Sequence, residues 1–220
     1  MLQEPPDELL LKLTWVDVLH RKAYYKRVEA IISMSKLDQL KAKLLPFIRK
    51  HAFLKLPEPI KLSSGKMSDV YFDGRKVTLH PEGITLFAQA ILELVDLNQI
   101  DAVGGPSIGA DPIGTAVSIF AYRDKGKIIP AFLVRKEPKQ YGLQKQIEGV
   151  DVKSGMRVLV VEDVITTGKN VLNTISVIES LGARVVQVVC LLDRDEGGAV
   201  ALRRYNLTPL FTREEVERVS

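Results

Sequence analysis

Residues 157–170 read RVLVVEDVITTGKN, and few stretches this short restrict a fold so tightly. Val158 to Val161 are four consecutive apolar residues, which makes a buried strand. Glu162 and Asp163 follow at once. Thr166, Thr167 and Gly168 then turn the chain into a helical pattern of Val171, Leu172, Ile175, Ile178 and Leu181. A loop of small and hydroxyl residues at a helix start is an anion site, because its N–H groups and the helix dipole both favour phosphate. The paired carboxylates add a place for a cation or for two neighbouring hydroxyls. Phosphate, diol and metal held a few residues apart describe a sugar phosphate. A generic crossover whose acids only cap the helix explains less, since two acids at a buried strand end need a partner.

Helical and strand patterns alternate along the rest of the chain. Leu37, Leu40, Leu44 and Ile48 recur at helical spacing. DVYFDGRKV (69–77) reads as a strand leading into a loop. Pro81 opens a helix carrying Ile84, Phe87, Ile91, Leu94 and Val95. Strand DAVGG, helix DPIGTAVSIFAY and strand IIPAFLVRK come next, then a polar loop to Ser154. After the 157–170 unit come strand RVVQVVCLL, a helix near 198–205, strand LTPLF and a short terminal helix. This alternation predicts an α/β fold, a mostly parallel sheet flanked by helices. Ligands in such sheets sit at the carboxyl ends of the strands.

At 220 residues, 46% hydrophobic and 26% charged, the chain suits one ordinary domain with a substantial core. The net charge of +4 is uneven: residues 1–55 hold 11 Lys/Arg against 6 Asp/Glu, the remainder 20 against 21. Solvated helix faces account for the basic excess more readily than a nucleic-acid surface does. Cys190, the single cysteine, sits in an apolar run and reads as a small buried hydrophobe. A reducing cytoplasm is expected, since one cysteine forms no internal disulfide. No run approaches the roughly 18 apolar residues of a membrane span, and the acidic start lacks a signal peptide's basic region. His20, His51 and His80 share no metal-ligand spacing.

Four further constellations carry chemistry. RKEPKQYGLQKQIEG (135–149) holds the cations Arg135, Lys136, Lys139 and Lys145 and cannot bury itself, so it reads as an exposed loop. GGPSIGADPIG (104–114) lets backbone approach a ligand at Gly104, Gly105 and Gly109, with Asp111 and Pro112 starting a helix. LSSGKMSDVYFDGRKVTLHPEG (62–83) contains Ser63, Lys66, Tyr71, Phe72, Asp73 and Arg75. DRDEGG (193–198) places Arg194 at a strand's carboxyl end. Two nearby acids could neutralise it as a surface salt bridge.

The stretch 157–170 closely resembles the phosphoribosyl-pyrophosphate signature of type I phosphoribosyltransferases. All five motifs, in this order, resemble those of orotate phosphoribosyltransferases from about Ser35 to Ser220. The resemblance implies that Glu162 and Asp163 bind the ribose hydroxyls. They would meet Mg²⁺ indirectly, through phosphoribosyl pyrophosphate (PRPP) and water. Val164, Ile165, Thr166, Thr167, Gly168 and Lys169 would hold the donor, with the TTG turn on its 5-phosphate. Segment 135–149 looks like the hood loop that closes over pyrophosphate. Arg135, Lys136, Lys139 and Tyr141 would meet the donor there, and some would reach into the neighbouring subunit's site of a homodimer. Lys136, Lys139, Glu162 and Asp163 would be the catalytic set. Ser63, Tyr71, Phe72 and Arg194 would receive orotate. This sequence departs from some relatives in having Ser63 for a lysine, and from many in having Tyr141 for a loop histidine and no lysine between Gly104 and Gly114.

The domain reading is a helical N-terminal extension over 1–34 and a phosphoribosyltransferase domain over 35–220 that includes a small hood, 35–80. The residues leave open whether synthesis starts at Met1 or Met34. The implied reaction converts PRPP and orotate to orotidine 5-monophosphate and pyrophosphate. Neither a membrane nor nucleic acid is expected as a partner. Two alternatives stay open: a phosphoribosyltransferase for another base, and a non-catalytic PRPP sensor that binds nucleic acid.

Overall fold

The computed structural model describes residues 34–61, 67–137 and 146–218. Contacts divide the chain between Gln39 and Leu40, and the sheet and its site lie wholly on the C-terminal side. Helix α1 (Lys36–His51) buries Leu44, Phe47 and Ile48. Strands β1 (Phe53–Lys61) and β2 (Met67–Phe72) pair antiparallel as a separate two-stranded sheet. The one-turn helix α2 (Arg75–Thr78) leads into α3 (Pro81–Leu94). The expected Pro81 start is present, capped by His80, whose Nδ1 accepts the Glu82 N–H at 3.3 Å.

The main sheet then assembles from β3 (Ala102–Pro106), β4 (Ala131–Val134), β5 (Ile147–Gly149), β6 (Arg157–Ile165), β7 (Arg184–Asp193) and β8 (Leu207–Thr212). The order across it is β5-β4-β3-β6-β7-β8. All pairs are parallel except β4–β5. Helix α4 (Ala110–Lys125) follows β3, and α5 (Lys169–Ser180) follows β6. The short α6 (Gly198–Ala201) and α7 (Arg213–Glu217) follow β7 and β8. Val158, Val160, Val188 and Cys190 share one cluster with Val171, Ile175 and Ile178 of α5. The alternating Leu159, Val161, Val189 and Leu191 are equally buried, so the other face is covered too. That double coverage is why these strands read as unbroken apolar runs. Cys190 lies in this core, where burial pushes its thiol well up. Among the described residues, no helix is long and apolar enough to cross a membrane.

Three local expectations change, and one further segment proves to be a strand. The helix near 198–205 covers only Gly198–Ala201: the chain leaves it at Leu202, and Asn206 at φ +48° then leads into β8. The loop after Phe72 contains α2. The polar stretch 135–154 contains β5, which extends the sheet's edge. Residues 53–61, which carry Pro57 and Pro59, form β1. Its register with β2 breaks between Lys55 and Ile60, around the two residues that cannot donate to a ladder.

Candidate active site

The chain leaves β3 for β4 on one side of the sheet, and β6 continues to β7 on the other. The loops after β3 and β6 therefore part, and the gap between them is the crevice where such sheets bind ligands. A cavity of about 620 Å³ opens there. The β6 end supplies Glu162, Asp163, Val164 and Thr166, and the β3 loop supplies Pro106 to Gly109. Arg194 enters from β7, Tyr71 to Arg75 from the hood, and Arg135 and Lys136 from the end of β4.

The acid pair is held by its own backbone. Glu162 Oε1 accepts the Asp163 N–H at 3.1 Å, and Asp163 Oδ1 accepts the Val164 N–H at 2.7 Å. Glu162 is only 7% exposed. Burial first, and then the charge of Asp163, push its carboxyl well above the usual range. A Cβ at Gly109 would lie 2.1 Å from Glu162 Oε1 and 2.8 Å from Asp163 Oδ1. A Cβ at Gly74 would lie 2.9 Å from Asp163 Oδ2. The β3 loop and the hood thus both press bare backbone against the acids. Ser107 Oγ donates to Asp111 at 2.8–2.9 Å and ties the β3 loop to the first turn of α4.

Beside the acids, residues 164–169 wrap a second hollow of about 190 Å³. Gly168 takes φ +79°, a conformation other residues rarely adopt, and starts α5. The first-turn N–H groups of α5 have no partner within the helix and face an anion's natural place. The Ile165 side chain is buried in the core, so what it offers this loop is backbone. Thr167 and Lys169 are exposed.

At the end of β7, Arg194 is only 8% exposed. Its N–H donates to Ile165 O at 2.9 Å, and its Nε lies 3.1 Å from Glu196 Oε1. The expected salt bridge therefore exists, but it is buried rather than on the surface. Phe72 is buried between the cavity and a small hollow behind Arg194, while Tyr71 is half-buried on the cavity wall. Arg135 and Lys136 are exposed. Arg135 Nη1 lies 3.7 Å from Glu148 Oε1, and Gln146 donates to its carbonyl at 2.9 Å. Ser63, Lys139 and Tyr141 lie outside the described residues.

Sequence reasoning missed Asn170, Asn173 and Thr174, which also border the cavity. They stand at i, i+3 and i+4 of α5, a polar stripe beside the buried Val171 and Ile175. That spacing was the available signal. His51 instead stacks on Phe47 and His80 meets the same ring tilted, at 4.4 and 4.8 Å between ring centroids.

The phosphoribosyl transferase domain model matches residues 80–206. The chain is 41% identical over 171 residues to an orotate phosphoribosyltransferase of Aquifex aeolicus, covering 77% of this chain and 92% of that one. It is similar to the crystal structure of the Mycobacterium tuberculosis orotate phosphoribosyltransferase in complex with Fe(III) dicitrate. The TM-score is 0.69 at 34% identity, covering 81% of this chain and 99% of that one. The same enzyme in complex with 5-phospho-α-D-ribosyl 1-diphosphate aligns with a TM-score of 0.66 at 32% identity, over 81% and 99% of the two chains.

Proposed function

The chain belongs to the orotate phosphoribosyltransferases, and from that premise we propose how its residues divide the chemistry. The enzyme transfers phosphoribosyl from PRPP to orotate, a step of pyrimidine biosynthesis. One observation carries the reading of the site: the acid pair, Thr166 and Arg194 border a single cavity. Donor ribose then lies against Glu162 and Asp163, its 5-phosphate in the 164–169 loop, and orotate between Arg194 and Tyr71. The products are orotidine 5-monophosphate and pyrophosphate.

The bond from ribose C1 to the pyrophosphate oxygen breaks ahead of the new bond from C1 to the base nitrogen. Positive charge grows on the ribose and negative charge on the leaving group. Glu162 and Asp163 accept hydrogen bonds from the 2- and 3-hydroxyls and favour the positive charge above them. Arg135, Lys136 and Lys139 meet the leaving pyrophosphate, where preorganised charge does most in a site shut from water. Arg194 orients the flat anionic base through its carboxylate.

Magnesium fits this site as an outer partner. Two adjacent carboxylates are too few to cage a cation. No group of three acid, histidine or cysteine side chains able to hold one occurs among the described residues. Magnesium commonly keeps its waters and binds through substrate phosphates plus one or two carboxylates. When bound, it would neutralise charge on the pyrophosphate.

Orotate consumption, followed by absorbance with PRPP and with or without Mg²⁺, tests the reading. Uracil, adenine and xanthine run in parallel should be turned over far more slowly. Equal rates with adenine would remove the role given to Arg194. The working form is a homodimer with shared sites, so mixing Lys139→Ala with Asp163→Asn should give more activity than either variant shows alone. The single buried cysteine suits a reducing cytoplasm as its location.

A further inference from the structure

The turn after β7 contains a buried charge that the chemistry above leaves unused. The Glu196 side chain is 5% exposed, and neither of its oxygens has a hydrogen-bond partner of good geometry among the described residues. Its Oε1 nevertheless stands 3.1 Å from Arg194 Nε. The contact is close in distance but off the N–H line. A carboxylate so placed loses its hydration and gains little besides the adjacent cation, so burial needs a reason.

The backbone puts it there deliberately. Asp195 at φ +56° and Gly197 at φ +102° fold the chain back on itself. Asp193 Oδ1 accepts the Asp195 N–H at 3.0 Å and closes the turn. The Arg194 N–H donates to Ile165 O at 2.9 Å, which fixes the turn to the donor loop. Glu196 is thereby returned to the residue two before it, on the Nε side of the guanidinium.

We propose that Glu196 is a positioning residue for the base subsite. Its charge draws the Nε side of Arg194 inward, so that the Nη1–Nη2 edge is presented to the carboxylate of the incoming base. A guanidinium has two edges that can take a carboxylate in a fork. Occupying one from within leaves the other for the ligand and settles which way the plane faces. The inference rests on the reading that Arg194 meets orotate.

The test separates reach from charge. Glu196→Gln keeps an acceptor at the same distance without charge. Glu196→Asp keeps the charge one methylene short, and Glu196→Ala removes both. KM for orotate should rise about tenfold in the Ala variant and several-fold both in Asp, which lacks the reach, and in Gln, which lacks the charge, while KM for PRPP stays within about twofold. Arg194→Ala should raise orotate KM further, and adding Glu196→Ala to it should change nothing more. If Arg194→Ala leaves orotate KM unmoved, the assignment of Arg194 fails first. If Arg194→Ala raises it but Glu196→Ala and Glu196→Asp do not, positioning by Glu196 is overturned. It is also overturned if KM for PRPP rises as much as KM for orotate, because the whole turn would then have shifted rather than the guanidinium alone. Should the Ala variant fail to fold, the Gln and Asp pair decides between these outcomes.

Discussion

The two ends of strand β6 treat charge in opposite ways. At its start, Arg157 and Asp101 satisfy one another almost completely. Asp101 Oδ2 accepts from Arg157 N and Nε at 2.8 and 3.1 Å, Oδ1 accepts from Nη2 at 2.8 Å, and the Asp101 N–H donates back to Arg157 O at 2.8 Å. Hydrogen bonds from Arg157 lead in drawing the Asp101 carboxyl down to about 2. Five residues on, Glu162 and Asp163 set two like charges side by side, and neither has an ion-pair partner among the described residues. One end is complete without a ligand. The other is crowded in a way that a proton, a ligand or a cation relieves. On a strand buried along its length, uncompensated charge is what separates a binding end from a structural one.

The contrast breaks most visibly if the acids are neutralised. Asp163→Asn and Glu162→Gln should each lower turnover roughly 10- to 150-fold, the loss of one charged hydrogen bond to a ribose hydroxyl. Glu162→Gln carries a second expectation of opposite sense. The Glu162 pKa is raised on folding, so the stability it gives is present below its unfolded pKa and lost as pH rises through the folded one. Above its unfolded pKa, folding must either bury the charge or take up a proton, and both oppose the fold. Glutamine should therefore raise the melting temperature while turnover falls, and the gain should shrink in acid. Wild-type kinetics in both variants would leave the β6 carboxyl end without a catalytic role.

A smaller perturbation leaves the charges and moves their setting. Gly109→Ala would bring a methyl to 2.1 Å from Glu162 Oε1, nearer than any real contact. Either the β3 loop or the acid must retreat, and a displacement of about 1 Å near the reacting centre costs on the order of 100-fold in rate. Turnover at saturating substrates should fall with little loss of stability. A variant as active as wild type would mean that the loop gives way without disturbing the acids.

Gly198→Ala acts one step further out. Its methyl would meet Ile165 Cγ2 at 2.4 Å and Thr166 O at 2.8 Å, so the turn carrying Arg194 would press on the donor loop. KM for PRPP should rise, by about three- to tenfold, more than KM for orotate does. An effect confined to orotate would show that the two loops move independently.

What the sequence made legible follows the same division. Strand, acid pair and TTG turn are contiguous, so their joint chemistry could be read from fourteen letters. The covered faces of β6 and β7 were legible because burial on both sides leaves unbroken apolar runs. Pairing between distant segments was not. β1 contains Pro57 and Pro59, which argue locally against a strand, and only β2 across the hairpin makes it one. β5 looks polar because it lies at the sheet's edge, bonded to β4 alone. Asn173 and Thr174 look like ordinary helix surface until the placement of α5 over β6 turns them to the cavity. Arg194 was legible as a cation at a strand end. Its burial beside Glu196 depends on a turn with two left-handed residues, which the letters DRDEGG do not announce.

The least effect should come from the satisfied end, and this expectation is the control for the rest. Asp101 carries a depressed pKa, so its contribution to stability is present above its unfolded value of 3.8 and is lost as pH falls toward about 2. The partners are about a third exposed, 29% for Arg157 and 36% for Asp101, so solvent screens most of that contribution. Asp101→Asn should lower the melting temperature by at most about 2 °C at neutral pH. The difference from wild type should vanish between pH 4 and pH 2. The site lies at the other end of the sheet, so kcat and both KM values should be unchanged. Melting curves from pH 2 to pH 7, run beside a steady-state assay, check both halves. A large loss of activity in Asp101→Asn would mean that strain at the amino end of β6 travels along the strand to the acids. The two ends would then be one coupled element rather than a scaffold and a site.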